Sequence, residues 1–202
     1  MKIRFISFAL AGVMTLGATT GCRKDKPVEP DPTGRVEVHL KANIKPPSKL
    51  KVANNQWEAS DRVGLFMKQA GALTMESVYE DADNLQMSID GQTLKSVSPV
   101  YYPLKGNVDF IAYYPYITSV EGNYTVPVNV AEQAAGLPVE VLYSNNATNK
   151  APVEAPVMLD FRFSLAKIIV HVTGDNLTTS DLAGMSVSVG NMYTKAWLHL
   201  IN

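Results

Sequence analysis

From Arg35 onward the chain keeps alternating apolar and polar residues, and that period of two limits what it can become. "RVEVHLKANI" puts Val36, Val38 and Leu40 on one side and Glu37, His39 and Lys41 on the other. Successive side chains of an extended backbone point to opposite faces, so the pattern makes a half-buried strand. On a helix the same residues would scatter around the cylinder. "DRVGLFMK" gives a second run around Val63, Leu65 and Met67, and "NLQMSID" a third with Leu85, Met87 and Ile89. "NVDFIAYYPY" sets Val108, Phe110, Ala112 and Tyr114 on one face. "NYTVPVNV" does the same with Tyr124, Val126, Val128 and Val130. "VMLDFRFS" points Val157, Leu159, Phe161 and Phe163 inward, and "KIIVHVTG", "GMSVSVGN" and "TKAWLHLI" follow.

The spacing therefore predicts an all-β chain of about seven to nine short strands, with Gly, Asn and Pro between them. That pattern fits an antiparallel β-sandwich or barrel. Only "VAEQAAG" and "SLAKI" offer a turn of helix. No repeat of fixed period is present.

The first 34 residues do not share the alternation. Lys2 and Arg4 precede "FISFALAGVMTLGA", Phe5 to Ala18, which carries no charge. This run is shorter than the roughly 20 residues a membrane-crossing helix needs. It reads as a secretory signal, residues 1–21. The signal ends in Gly21-Cys22, and Cys22 is the single cysteine of the chain. A bond cut between Gly21 and Cys22, followed by acylation of Cys22, makes a bacterial lipoprotein. A free exposed thiol would be a liability in an oxidising compartment, and acylation removes it. The competing reading is an ordinary signal peptide cut nearby. One acyl chain holds a membrane only marginally; two or three on one residue hold it permanently. "RKDKPVEPDPTG" then has three prolines, mixed charge and little to bury, so residues 22–34 form an extended tether. The folded domain spans residues 35–202.

Charge excludes some partners. Without residues 1–21 the chain keeps 16 basic residues against 19 acidic ones. Nothing in that balance suits nucleic acid or an anionic membrane surface. About 168 residues remain after the tether. A domain of that size buries roughly 70% of its unfolded surface and needs no disulfide.

Catalytic and metal signatures are weak. His39, His171 and His199 each fall inside a predicted strand and share no metal-ligand spacing. No G-x-S-x-G elbow or glycine-rich phosphate loop occurs. Asp61, Asp90, Asp109 and Asp160 are scattered, and only folding could pair them. The expectation is a protein that is not an enzyme, with no cofactor and no metal. Tyrosines gather in "VYYPL" (Tyr101, Tyr102) and "AYYPY" (Tyr113, Tyr114, Tyr116). Exposed, Tyr113, Tyr114 and Tyr116 could stack on sugar rings; otherwise they are ordinary packing tyrosines of strands. Asn123, Asn146 and Asn176 begin glycosylation sequons.

Six blocks in order carry a resemblance. They are "W57-E-A-S-D61-R-V-G64-L-F-M67", "V100-Y-Y-P103" with "V108-D-F-I-A-Y-Y-P-Y116", and "E132-Q133" before "V141-L-Y-S144". "V157-M-L-D-F-R-F-S-L-A-K-I168" follows, then "L182-A-G-M-S-V-S-V-G-N191" and "T194-K-A-W-L-H-L200". Together they resemble the fimbrillin family, the Mfa-like pilins of type V fimbriae. Phe163 stands where many members have histidine, and Glu132 replaces the usual aspartate.

The resemblance implies transthyretin-like, Greek-key β-sandwich domains, of which this chain would hold the first. It implies a palmitoylated lipoprotein of the cell outer membrane, held in lipid through Cys22. It also implies cell adhesion or pilus building with other fimbrial subunits. Its physics is β-augmentation, in which an unpaired edge recruits a strand from the next subunit. Without a second domain, a donor strand is expected to be missing, leaving the roles of acceptor, anchor, accessory or terminal subunit. Arginine-specific cleavage would fall at Arg35, between tether and first strand. The competing function is a lipid-tethered module that binds host or bacterial glycans.

Overall fold

The strands close on themselves because the chain alternates Val, Ile, Phe and Leu with polar residues over runs of only three to nine residues. The computed structural model describes residues 33–46, 56–72, 74, 77–120, 122–131, 139–166, 168, 170, 172–174, 178 and 180–201. All of these belong to one compact unit, Asp31–Asn202. Among the described residues nine strands form: β1 (Leu40–Lys45), β2 (Arg62–Gln69), β3 (Leu85–Asp90), β4 (Thr93–Lys95), β5 (Val108–Tyr114), β6 (Thr125–Asn129), β7 (Leu142–Lys150), β8 (Val157–Phe163) and β9 (Lys195–His199). Among the described residues the helical element seen in full is a 3-10 turn, Glu80–Ala82.

Seven strands make a closed barrel in the order β1-β4-β3-β2-β5-β7-β8. The expectation of an all-β chain with little helix is met. The main sheet is a barrel rather than clearly a sandwich. The pairing is antiparallel except at the closing seam. There β1 runs parallel to β8, from Leu40 opposite Val157 to Lys45 opposite Arg162. The remaining strands, β6 and β9, form a separate antiparallel ribbon.

The barrel interior takes Leu40, Val63, Leu65, Met67, Phe110 and Phe161, all at most 2% exposed. Alternation predicted these inward positions. It did not predict that β2 and β5 are buried on both faces. Phe66, Ile111 and Tyr113 point out of the barrel and meet Tyr124, Val126, Leu198 and Leu200 of the ribbon. The ribbon thus adds a second layer over two barrel strands, which explains why β2 and β5 read as continuous apolar runs.

Two expected strands are not formed. In "KIIVHVTG" the described positions 168, 170 and 172–174 lie outside any strand, and 167, 169 and 171 lie outside the described residues. "GMSVSVGN" is described throughout and has no strand. Its Met185, Val187 and Val189 are about half exposed, so no second layer buries the face that would hold a strand in place. Two unexpected strands replace them. β4 is only three residues long, and β7 reads "LYSNNATNK", too polar for the pattern to register. β7 is held because β5 pairs along its length. The first predicted strand also starts later than its alternation suggests. Val36 and Val38 still bond to the chain at Tyr102 and Val100, at 2.9 and 2.8 Å. The predicted helical turns contribute nothing here: "VAEQAAG" falls largely outside the described residues, and the described part of "SLAKI" is not helical.

Candidate functional site

The tyrosine cluster is built into the fold. Tyr113 points outward from β5 and is wholly buried beneath the ribbon. Its hydroxyl donates to Asn84 Oδ1 at 2.7 Å and accepts from the Ile117 amide at 3.3 Å. Tyr114 faces the other way, and its hydroxyl donates to Asp61 Oδ1 at 3.0 Å. Tyr116 is half-buried, and its amide donates to the Arg62 carbonyl at 2.9 Å. Burial pushes the phenols of Tyr113 and Tyr114 up to about 12, with the Asp61 carboxylate adding to the rise at Tyr114. These rings therefore form no flat exposed platform. Tyr102 is likewise core, packed edge-on to Phe110, while Tyr101 is half-buried.

The block from Trp57 to Met67 explains itself in the same terms. The Trp57 indole donates to the Ala42 carbonyl at 3.2 Å and stands edge-on to Tyr114 and Phe161. Asp61 accepts the Glu58 amide as well as the Tyr114 hydroxyl. Gly64 lies under the Tyr113 ring, where a Cβ would fall 2.5 Å from Cζ and 2.8 Å from Oη. Trp57, Asp61 and Gly64 are thus each bonded or closely packed at the barrel mouth.

A buried ion pair locks the opposite end. Lys68 and Asp109 face each other across β2 and β5, with Nζ 2.8 Å from Oδ2. Asp109 also accepts the amides of Gly71 (3.0 Å) and Asn149 (2.7 Å). Burial opposes its charge, but the Lys68 ammonium and the two amides together hold its carboxyl below the usual carboxylate range. Lys68 also caps the Ala72 carbonyl at 2.5 Å. Every group is satisfied within the fold, so nothing is left to bind a ligand.

Arg35 sits at the mouth of the domain, half-buried. Its Nε donates to Thr33 Oγ1 at 3.0 Å, and its guanidinium lies 5.1 Å from the Tyr101 ring centre. Asp81 is 4.0 Å away. Gly21 and Cys22 lie outside the described residues, as does His171. His39 and His199 are exposed and far apart in the strand order. Asp160 bonds Asn43 and lies 3.4 Å from Lys45. Among the described residues no group of three or more His, Cys, Asp or Glu is placed to hold a metal ion. No helix among them is long and apolar enough to cross a membrane.

Two surface depressions stand out among the described residues. One, of ≈ 420 Å³, lies along β7 and β8, lined by Tyr143, Asn145, Asn146, Asp160, Arg162, Phe163 and Ser164. Here the strands pair directly at only two positions. The Asn146 amide continues the seam, donating to the Met158 carbonyl and accepting the Asp160 amide. The second depression, of ≈ 330 Å³, lies on the outer face of the ribbon. It is lined by Asn123, Thr125, Trp197 and His199. Nothing in the sequence groups either set of residues.

A family model described as fimbrillin-like matches residues 51–202. The chain belongs to the fimbrillin-like family. A curated relative from Bacteroides uniformis, "Putative fimbrium subunit Fim1C", is 30% identical over 213 residues. The match takes in 100% of this chain and 66% of that protein, so the chain spans just under two thirds of the relative's length. Among solved structures, a "putative cell adhesion protein" from Bacteroides uniformis is 18% identical, with a TM-score of 0.49 over 66% of this chain and 48% of that one. A fimbrial protein from Bacteroides ovatus is 20% identical, with a TM-score of 0.42 over 64% and 28%.

Proposed function

We propose that this chain is a structural subunit of a cell-surface fimbrium. It is exported as a precursor, acylated at Cys22 after cleavage behind Gly21, and joined to other fimbrial subunits by strand addition. The reading is carried by the family match over residues 51–202, and the fimbrium-subunit relative points the same way. No activity is proposed, since the conspicuous polar and aromatic residues are engaged in holding the barrel.

The runs at 168–172 and 184–190 favour strand addition. The described apolar residues Ile168, Val170, Val172, Met185, Val187 and Val189 sit outside any strand and are about half exposed, and in the second run they alternate with serine. Such segments suit main-chain pairing with a neighbouring chain. Processing at Arg35 would follow local opening in this reading. Val36 and Val38 are bonded to the domain, and a protease needs several residues around the cut in free, extended form.

The test is made in the native host. Surface fibres are sheared off and probed by immunogold labelling and intact-mass spectrometry. The chain is expected in the fibres, and a Val187→Asp, Val189→Asp variant is expected to fold but stay out of them. A chain that reaches the surface yet never enters a fibre would refute the structural role. A mass without acyl groups on the membrane-retained form would refute the anchor.

A further inference from the structure

On the ribbon's outer face an exposed indole meets polar side chains. Opposite residues of an antiparallel pair share a face. In this register Pro127 stands opposite Trp197, Thr125 opposite His199, and Asn129 opposite Lys195. The inward-facing alternates, Val126 and Leu198, are committed to the core. Trp197 is left 57% exposed, in contrast to Trp57, which is held against Tyr114 and Phe161. An apolar centre, Trp197 with Pro127, thus has polar groups at both ends. Asn123 and His199 lie at one end beside the depression, and Asn129 and Lys195 at the other. In the same depression Thr125 Oγ1 donates to Asn123 Oδ1 at 2.6 Å, which fixes the Asn123 side chain and turns its Nδ2 donors elsewhere.

A small apolar plate rimmed by hydrogen-bonding groups matches a pyranose ring, which has an apolar C–H face and a hydroxyl edge. An exposed indole supplies the apolar body for such stacking. Few, placed polar groups then fix orientation. One indole and one proline are too small for a stable protein partner, which covers about 800 Å² on each side. Charge is mild, so a phosphorylated or strongly acidic ligand has no dedicated partner here beyond Lys195.

We propose that the β6–β9 ribbon carries a carbohydrate-binding site. Trp197 stacks on a neutral pyranose, and Asn123 and His199 bond its hydroxyls. The site gives the subunit a ligand contact independent of assembly.

The probe is a panel of neutral methyl pyranosides, gluco, galacto, manno and N-acetylglucosamine forms, titrated into the full chain, with a glycan array run in parallel. The readout is the indole N–H signal of each tryptophan in ¹H–¹⁵N spectra. The chain has two tryptophans, and Trp57 is the internal control. At least one sugar is expected to shift the Trp197 signal saturably and leave Trp57 still. Trp197→Ala should abolish the shift. Asn123→Ala and His199→Ala should each weaken binding by about three- to tenfold, the loss of one neutral hydrogen bond. Unchanged spectra of the core would show that each variant folds. The proposal is overturned if no sugar on panel or array binds saturably, or if binding survives Trp197→Ala. It is equally overturned if the Trp197 signal depends on protein concentration and Trp197→Ala removes self-association, since the face is then a polypeptide contact.

Discussion

Gly64→Ala tests the central claim about the barrel mouth, that the Tyr113 ring and the bare glycine are one packing unit. The new methyl would press hardest on Cε1 and lie 2.5 Å from Cζ. Carbon atoms settle at about 3.5–4.0 Å, so the ring must retreat by about 1.5 Å. It has no room, because Tyr113 is fully buried and stacks on Phe66 with ring centres 6.2 Å apart. Overpacking of this kind costs about 1–3 kcal/mol. Retreat also pulls the hydroxyl from Asn84, now at 2.7 Å, adding about 1 kcal/mol or more for a buried group left unmade. The expected loss is therefore about 2–4 kcal/mol. Urea unfolding followed by Trp57 fluorescence would show it as a midpoint lower by about 1–2 M, taking a slope near 2 kcal/mol per molar. The double variant Gly64→Ala, Tyr113→Leu should lose less than the sum of its singles, because the smaller side chain makes room for the methyl. A Gly64→Ala protein within about 0.5 kcal/mol of wild type, or strictly additive singles, would refute the reasoning.

The buried pair gives a second prediction. Lys68→Met strands a buried carboxylate and should cost about 3–5 kcal/mol. Asp109→Leu should cost more, since it also orphans the amides of Gly71 and Asn149; equal midpoints in urea would contradict this. The tyrosines give a third. The phenols of Tyr113, Tyr114 and Tyr124 rise from 10.0 to about 12 through burial, so the folded state favours their neutral form. That contribution is full below pH 10 and is lost as pH rises from 10 to 12. Tyrosinate absorbance should show exposed tyrosines titrating first and a cooperative step, coincident with unfolding, above them. One smooth titration near the ordinary value would overturn the burial argument.

The sequence by itself determined the class of fold and most of its interior. Alternation at Leu40, Val63, Leu65, Phe110, Leu159 and Phe161 named true core positions, because a period of two is a local property of extended backbone. The family blocks were equally legible, since residue identity at Trp57, Asp61 and Gly64 is written in the chain. Alternation cannot say what covers a strand. "GMSVSVGN" has a strand's pattern and forms none, whereas "LYSNNATNK" lacks the pattern and forms the longest strand because β5 pairs with it. Partner strands dozens of residues away supply the hydrogen bonds, and no local signal records them. The same limit applied to the tyrosines. Sequence showed a cluster; the ribbon of β6 and β9, folded over β2 and β5, decided that Tyr113 is core. That ribbon also left Trp197 exposed beside Asn123 and His199, residues more than 70 positions apart at the extremes, which only the β6–β9 register brings together.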